Sequence, residues 1–430
     1  MMIPVEDVSV GDFDLSDIEF WARPWAEREA AFRALRKEQP IAFFPEPDLP
    51  GLPPGRGGYV ITRHADIVEM SRSPELFCSG QGAVSLIDMP PEMLEFYGSM
   101  INMDDPRHAR LRGIVSASFT PRMLQKVLDD VERTAADVID GVIDRGEADF
   151  ALDVAARLPL VIICRMLGIP EADYDFVLAK SNLILSGGDS EFVPEDTNLW
   201  IGAFVQAGAE LAQLMQDLAR HRVSHPTDDL TSALVNAEVD GERLSRDELA
   251  SFFILLVAAG NETTRTAISH GLLALSQHPD QRRKWMEDFD GRARTAVEEI
   301  VRWATPVIFM RRTVTADVEV SGHRFTEGDK VLLCYSSANR DEEVFDDPYR
   351  FDVDRDPNPH IAFGAPGPHF CLGAHLARRE ITVMFRELFR RLPDLEVAGE
   401  PVPLRSSFIN GIKHLPVTFT PGGGPSRWLG

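Results

Sequence analysis

Cysteine is scarce: Cys78, Cys164, Cys334 and Cys371 are the four in a chain of 430 residues, and they lie far apart. That spacing excludes a disulfide framework and a multi-cysteine zinc cluster, and it fits a reducing compartment. Positive charge is also short, with 44 Lys and Arg against 68 Asp and Glu and a formal net charge of -24. Such a chain repels a phosphate backbone, so nucleic acid is not an expected partner. Long apolar runs are missing too. The strongest, Phe252 to Ala259 (FFILLVAA), is far too short to span a bilayer. The first residues, MMIPVEDVSVGDFDLSD, are acidic and lack a basic start followed by an apolar stretch. Neither a secretory signal nor a membrane anchor is expected, and the expected location is cytoplasmic.

What remains is an ordinary globular composition, 44% hydrophobic and 26% charged, able to bury a sizeable core. No composition break divides the chain, so one domain over residues 1–430 is expected, with loose ends at about 1–15 and 421–430. Residues 45–58 (PEPDLPGLPPGRGG) read as a loop, followed by a strand and a helix in YVITRHADIVEMSRSPELF. Helical periodicity dominates from about 105 to 305, short strands follow over 306–335, and helix returns after Cys371. The fold class is therefore mainly α with smaller β-sheet regions. The clearest helix is predicted to begin near Ser245, where Ser245 and Glu248 have capping-box spacing, and to end before Pro279. Its centre, ASFFILLVAAG, is apolar nearly all round, which predicts burial. The polar cluster Asn261, Glu262, Thr263, Thr264 follows directly.

Chemistry concentrates in Phe363 to Gly373 (FGAPGPHFCLG), an irregular loop whose cysteine opens the helix AHLARREITVMFREL. A thiolate at that position receives the partial positive charge and free N–H groups of the helix start, which lowers its basicity and suits it to bind iron. A lone cysteine is more often an inert buried thiol. His369, Cys371 and His375 would make an incomplete zinc set, three candidates on one loop and helix turn. Elsewhere, Gly260 weakens the long helix and Thr263 can bond back to a carbonyl of the preceding turn, which together would open a groove. Glu299 and Arg302 share one helical face, as do His108 and Arg112.

Taken in order, Ala259 to Thr264 (AGNETT), Glu299 to Arg302 and the Cys371 loop resemble the signature set of cytochromes P450 across nearly the whole chain. The resemblance implies the cytochrome P450 fold, a haem b cofactor and Cys371 as the thiolate ligand of its metal. It implies His108, Arg112, Arg312 and His369 as partners of the haem propionates, with Arg312 favoured over its neighbour Arg311 by counting back from Asp317. Glu262 and Thr263 would manage protons, and Glu299 with Arg302 would support the core structurally. By family position Ala259, Val307, Ile308 and Phe408 would face the substrate. The expected activity is hydroxylation of a hydrophobic substrate with O2 and two electrons. No nucleotide-binding glycine fingerprint or reductase domain is apparent, so a separate ferredoxin with its NAD(P)H-dependent reductase is the expected electron source. The alternatives are a peroxide-driven peroxygenase and a non-catalytic haem or lipid binder; the intact Glu262–Thr263 pair disfavours both.

One departure stands out. Phe363 lies eight residues before Cys371, one more than the usual family spacing. The longer loop, with SMINMDDPRHARLR and FINGIKHLPV, resembles the actinobacterial branch that oxidises methyl-branched lipids and sterol side chains, which implies terminal hydroxylation of such chains.

Overall fold

The structure is a computed structural model, and it describes residues 8–46, 55–119, 121–186, 188–194, 196–238 and 241–422. After helix α1 (Trp25–Glu38), strands β1 (Ile41–Phe44), β2 (Gly58–Ile61), β3 (Phe77–Cys78), β4 (Phe309–Val314) and β5 (Lys330–Cys334) form one sheet in the order β1-β2-β5-β4-β3. The β1–β2, β4–β5 and β3–β4 pairs are antiparallel, and β2–β5 is parallel. The run of strands expected over 306–335 is present, because β-branched and aromatic residues there alternate between turn residues. Part of the Pro/Gly-rich stretch 45–58 and the extreme ends of the chain lie outside the described residues. The start is anchored earlier than the loose residues 1–15 expected from sequence. Leu15 is buried, and its carbonyl accepts a 3.0 Å hydrogen bond from Trp21 Nε1.

Helices make up the larger layer: α2 (Arg107–Ser118), α3 (Pro121–Asp140), α4 (Arg157–Leu167), α5 (Tyr174–Leu185), α6 (Thr197–Ser224), α7 (Arg246–Gln277), α8 (Phe289–Ala304) and α9 (Ala374–Arg391). Helix α7 is the axis of this layer and packs against α3's neighbour α4, and against α6, α8 and α9. Its start follows the predicted capping box. Glu248 N–H donates to Ser245 Oγ at 3.1 Å, and Ser245 N–H donates to the Glu248 carboxylate at 2.8 Å. Its 32 residues rise about 1.5 Å each, about 48 Å in all, the length of a domain. Phe252 and Phe253 are each 1% exposed; burying each side chain contributes about 1.5–3 kcal/mol.

Gly260 lets α7 approach α4. A Cβ there would come within 3.3 Å of Ile163 Cδ1, tighter than ordinary contact. The helix nonetheless stays continuous through Ala259–Thr264. The glycine therefore serves close packing, and no break in the ladder opens the groove expected from sequence. Beyond α9, the short strand β6 (Ile412–His414) brings the C-terminal segment back across α7.

Candidate active site

Cys371 sits just before α9, in a loop closed by its own N–H, which donates to the Phe363 carbonyl at 2.9 Å. The loop lies tight on its neighbour: a Cβ on Gly367 would be 2.4 Å from the Ser71 carbonyl oxygen, so only glycine fits. Phe363 is half-buried, with the Arg378 guanidinium 4.3 Å from its ring centroid. The extra loop residue is thus accommodated with Phe363 tied to Cys371 through the backbone and to α9 through Arg378. Cys78, Cys164 and Cys334 are buried, whereas Cys371 is exposed. Although the residue reaches the surface, protein packed around its sulfur pushes the thiol up, while N–H groups of Gly373 and Ala374 and the charges of Arg112 and Arg378 pull the other way. The two N–H groups are the helix-start donors expected from sequence, and the two guanidinium charges add to them in favouring a thiolate.

Four basic side chains gather beside this loop. His108 on α2 is 2% exposed, its ring centroid 4.4 Å from that of His369, and its Nε2 is buried with no hydrogen-bond partner. Arg112, one turn on, donates to the Phe370 carbonyl at 2.7 Å. Successive strand residues point to opposite faces, which separates Arg311 from Arg312. Arg311 pairs with Asp88 at 2.8 Å. Arg312 is 4% exposed, donates to the Arg311 carbonyl, and makes no ion pair among the described residues. Burial, then the positive Arg312, His108 and Arg112, push the His369 imidazole down to about 3. A buried guanidinium without a carboxylate and an orphaned imidazole nitrogen are costly unless an anion meets them. The donor set therefore fits haem, with a sulfur for the metal and basic groups for two propionates.

Within the largely buried middle of α7, Ala259 is exposed and Thr263 half-exposed. Thr263 Oγ1 donates to the Ala259 carbonyl at 2.7 Å, the back-bond expected from sequence. Glu262 is buried, and among the hydrogen bonds of the described residues none joins it to Thr263. Its carboxylate meets Arg265 at 3.2 Å instead. Burial raises the Glu262 carboxyl above its ordinary range, against the pull of Arg265.

Val307 is half-buried and bridges Ile409, and Ile308 N–H donates to the Phe408 carbonyl at 2.8 Å. The two expected wall segments are thus neighbours. Ile308 packs in the core cluster shared with Trp21 and Phe32, with Phe408 at that cluster's margin.

Glu299 and Arg302, 0% exposed, form a two-pronged pair at 2.8 Å for each contact. Arg355 joins Glu299 at 3.2 Å, the Asp352 N–H at 3.0 Å and Asn358 at 3.2 Å. Arg302 also donates to the Asn339 and Pro348 carbonyls. Sequence reading missed Arg355 and Asn339. Both lie far along the chain in irregular segments, where no periodicity flags them.

A mainly helical fold that sets a cysteine at a helix start among basic side chains is the framework of a haem-dependent monooxygenase. Residues 202–404 match the family description Cytochrome P450. Proteins of Mycobacterium tuberculosis and Mycobacterium bovis, each named methyl-branched lipid omega-hydroxylase, are 50% identical over 421 residues, 97% of either chain. A steroid C26-monooxygenase of Mycolicibacterium smegmatis is 39% identical over 96% of this chain and 95% of its own. Among solved structures, a Mycobacterium marinum cytochrome P450 in complex with pseudoionone superposes with a TM-score of 0.89 at 43% identity, covering 95% of this chain and 98% of that one. The chain belongs to the cytochrome P450 family. Members of this kind carry haem and oxidise hydrophobic substrates with electrons from redox partners. Among the described residues no helix is long and apolar enough to cross a membrane.

Proposed function

We propose that this monooxygenase, one domain working in the cytoplasm, uses haem b and a ferredoxin with its NAD(P)H-dependent reductase to hydroxylate terminal methyl groups of methyl-branched lipids or sterol side chains. The observation that carries the substrate class is the near-full-length relation to the omega-hydroxylases. When bound, haem supplies the electron chemistry that activates dioxygen. Cys371 Sγ would hold its metal, Arg112 and Arg312 would neutralise its propionates, and His108 and His369 would donate hydrogen bonds to them.

The remaining work is positioning and proton handling. Thr263 commits its own proton to the Ala259 carbonyl, so its oxygen lone pairs are left to orient a water on the exposed side of α7. Glu262, whose carboxyl burial raises above its ordinary range, would supply protons to that side by swinging its side chain from Arg265 toward Thr263. Ala259, Val307, Ile308 and Phe408 would line the substrate path. A terminal methyl presents stronger C–H bonds than the tertiary carbon beside it, so attack at the end demands a chain held from sliding.

The test offers the reconstituted enzyme matched straight and branched chains and a cholesterol-type side chain, and locates products by mass spectrometry. Terminal hydroxylation that requires the ferredoxin system is expected. Preference for compact aromatic substrates, oxidation in mid-chain, or equal turnover with peroxide alone would overturn the proposal.

A further inference from the structure

On the side of α7 away from Thr263, a small cleft is walled by Asn182 and Ser186 at the end of α5, by Glu262 and Arg265 on α7, and by Ile412 and Lys413 on β6. Arg265 spans it. One terminal nitrogen donates to Glu262 Oε2 at 3.2 Å, the other to the Lys413 carbonyl at 3.2 Å, and its Nε has no partner. Glu262 Oε1 makes no hydrogen bond among the described residues and faces the Gly411 backbone, 3.5 Å from where a Cβ would stand. Asn182 Oδ1 is likewise buried without a partner.

As a structural clamp this is poor. A buried ion pair offsets its desolvation only with good geometry and satisfied remaining groups, and here one long contact leaves three polar atoms unmet. Leu185, Phe192, Leu404 and Ile412 make much of the cleft wall apolar, so the two orphaned oxygens and the free Arg265 Nε are the partners a single water would find there. The charged groups facing the cleft are few. Arg265 touches the carboxyl, and the Lys413 ammonium is taken by Asp189 and Glu191 at 2.9 and 3.0 Å.

We propose that Arg265 is a positioning residue for Glu262, holding its carboxyl in the Asn182–Ser186–Lys413 cleft so that Oε1 exchanges its proton with water entering there. This rests on the reading of Glu262 as the proton supplier. Arg265 fixes the direction of the carboxyl by one oxygen and leaves the other to the water.

The test uses the full-length haem-loaded protein at rest. Infrared titration follows the protonated carboxyl band that disappears in Glu262→Gln. Arg265→Gln is expected to raise the midpoint of that band by about one pH unit, since the nearest positive charge is lost, and Arg265→Lys to restore it. Asn182→Leu is expected to slow hydrogen–deuterium exchange of the same carboxyl about tenfold, because an apolar plug replaces a water partner. An unmoved midpoint in Arg265→Gln, or an unchanged exchange rate in Asn182→Leu, overturns the proposal. Should Arg265→Gln fail to load haem, the Asn182→Leu rate decides. Glu262→Gln that keeps wild-type product per NAD(P)H would instead remove Glu262 from proton supply, a failure of the underlying reading.

Discussion

Among the described residues, two buried Glu–Arg pairs share the same i, i+3 spacing on a helix, and they are built in opposite ways. Glu299–Arg302 is two-pronged, joined by Arg355, Asn358 and the Asp352 N–H, and fully buried. Glu262–Arg265 has one 3.2 Å contact and lies on a cleft. Burial opposes ionisation in both. At Glu299, Arg302, Arg355 and the Asp352 N–H outweigh it and hold the carboxyl below its ordinary range. At Glu262 burial wins over Arg265 and the carboxyl is raised. Spacing alone thus makes a pair possible; the surrounding donors decide whether it is a permanent charge or a group that changes charge.

The largest effect is expected from breaking the satisfied pair. Glu299→Ala leaves the Arg302 guanidinium buried beside carbonyls and the Arg355 charge unpaired. A loss of about 3–5 kcal/mol is expected, read as a fall in denaturant midpoint with poor haem retention. Loss below about 1 kcal/mol would show that the pair is not the clamp its geometry implies. Arg355→Leu removes only the third arm, and about 1.5–3 kcal/mol is expected from the lost bonds to a charged group.

The sharpest contrast is in the sign of the pH dependence. The depressed Glu299 carboxyl contributes stability above the unfolded value near 4.3 and loses it as pH falls through the lower folded value. The raised Glu262 carboxyl costs stability once pH rises past the unfolded value, and the cost is complete above its folded value. Melting temperatures of wild type minus Glu299→Gln should therefore rise with pH, and those of wild type minus Glu262→Gln should fall. Parallel slopes would dissolve the distinction. The smallest stability change is expected for Thr263→Ala, about 1 kcal/mol or less for one helix back-bond. Its product per NAD(P)H consumed should fall as electrons go to peroxide, and an unchanged ratio would remove Thr263 from the mechanism.

Local signals made much of this legible in sequence. The Ser245–Glu248 cap, the apolar centre of α7 and the strands over 306–335 each follow from residues a few positions apart. The Cys371 loop and Glu299–Arg302 stood out as contiguous patterns. What escaped depends on distant segments meeting: Arg355 and Asn339 around Glu299 and Arg302, and Asn182 and Lys413 around Glu262. Arg265 was visible at the right spacing from Glu262, yet nothing local separates a buried pair from a solvated one. Gly260 misled for the same reason, since its use lies in the approach of Ile163 from another helix.

The most direct measurement concerns Cys371. Reduced, haem-loaded protein exposed to carbon monoxide should show the red-shifted Soret band of thiolate ligation, and Cys371→Ala should keep haem but lose that band. If Cys371→Ala binds haem and retains the same band, the thiolate comes from elsewhere and the site built around this loop is wrong.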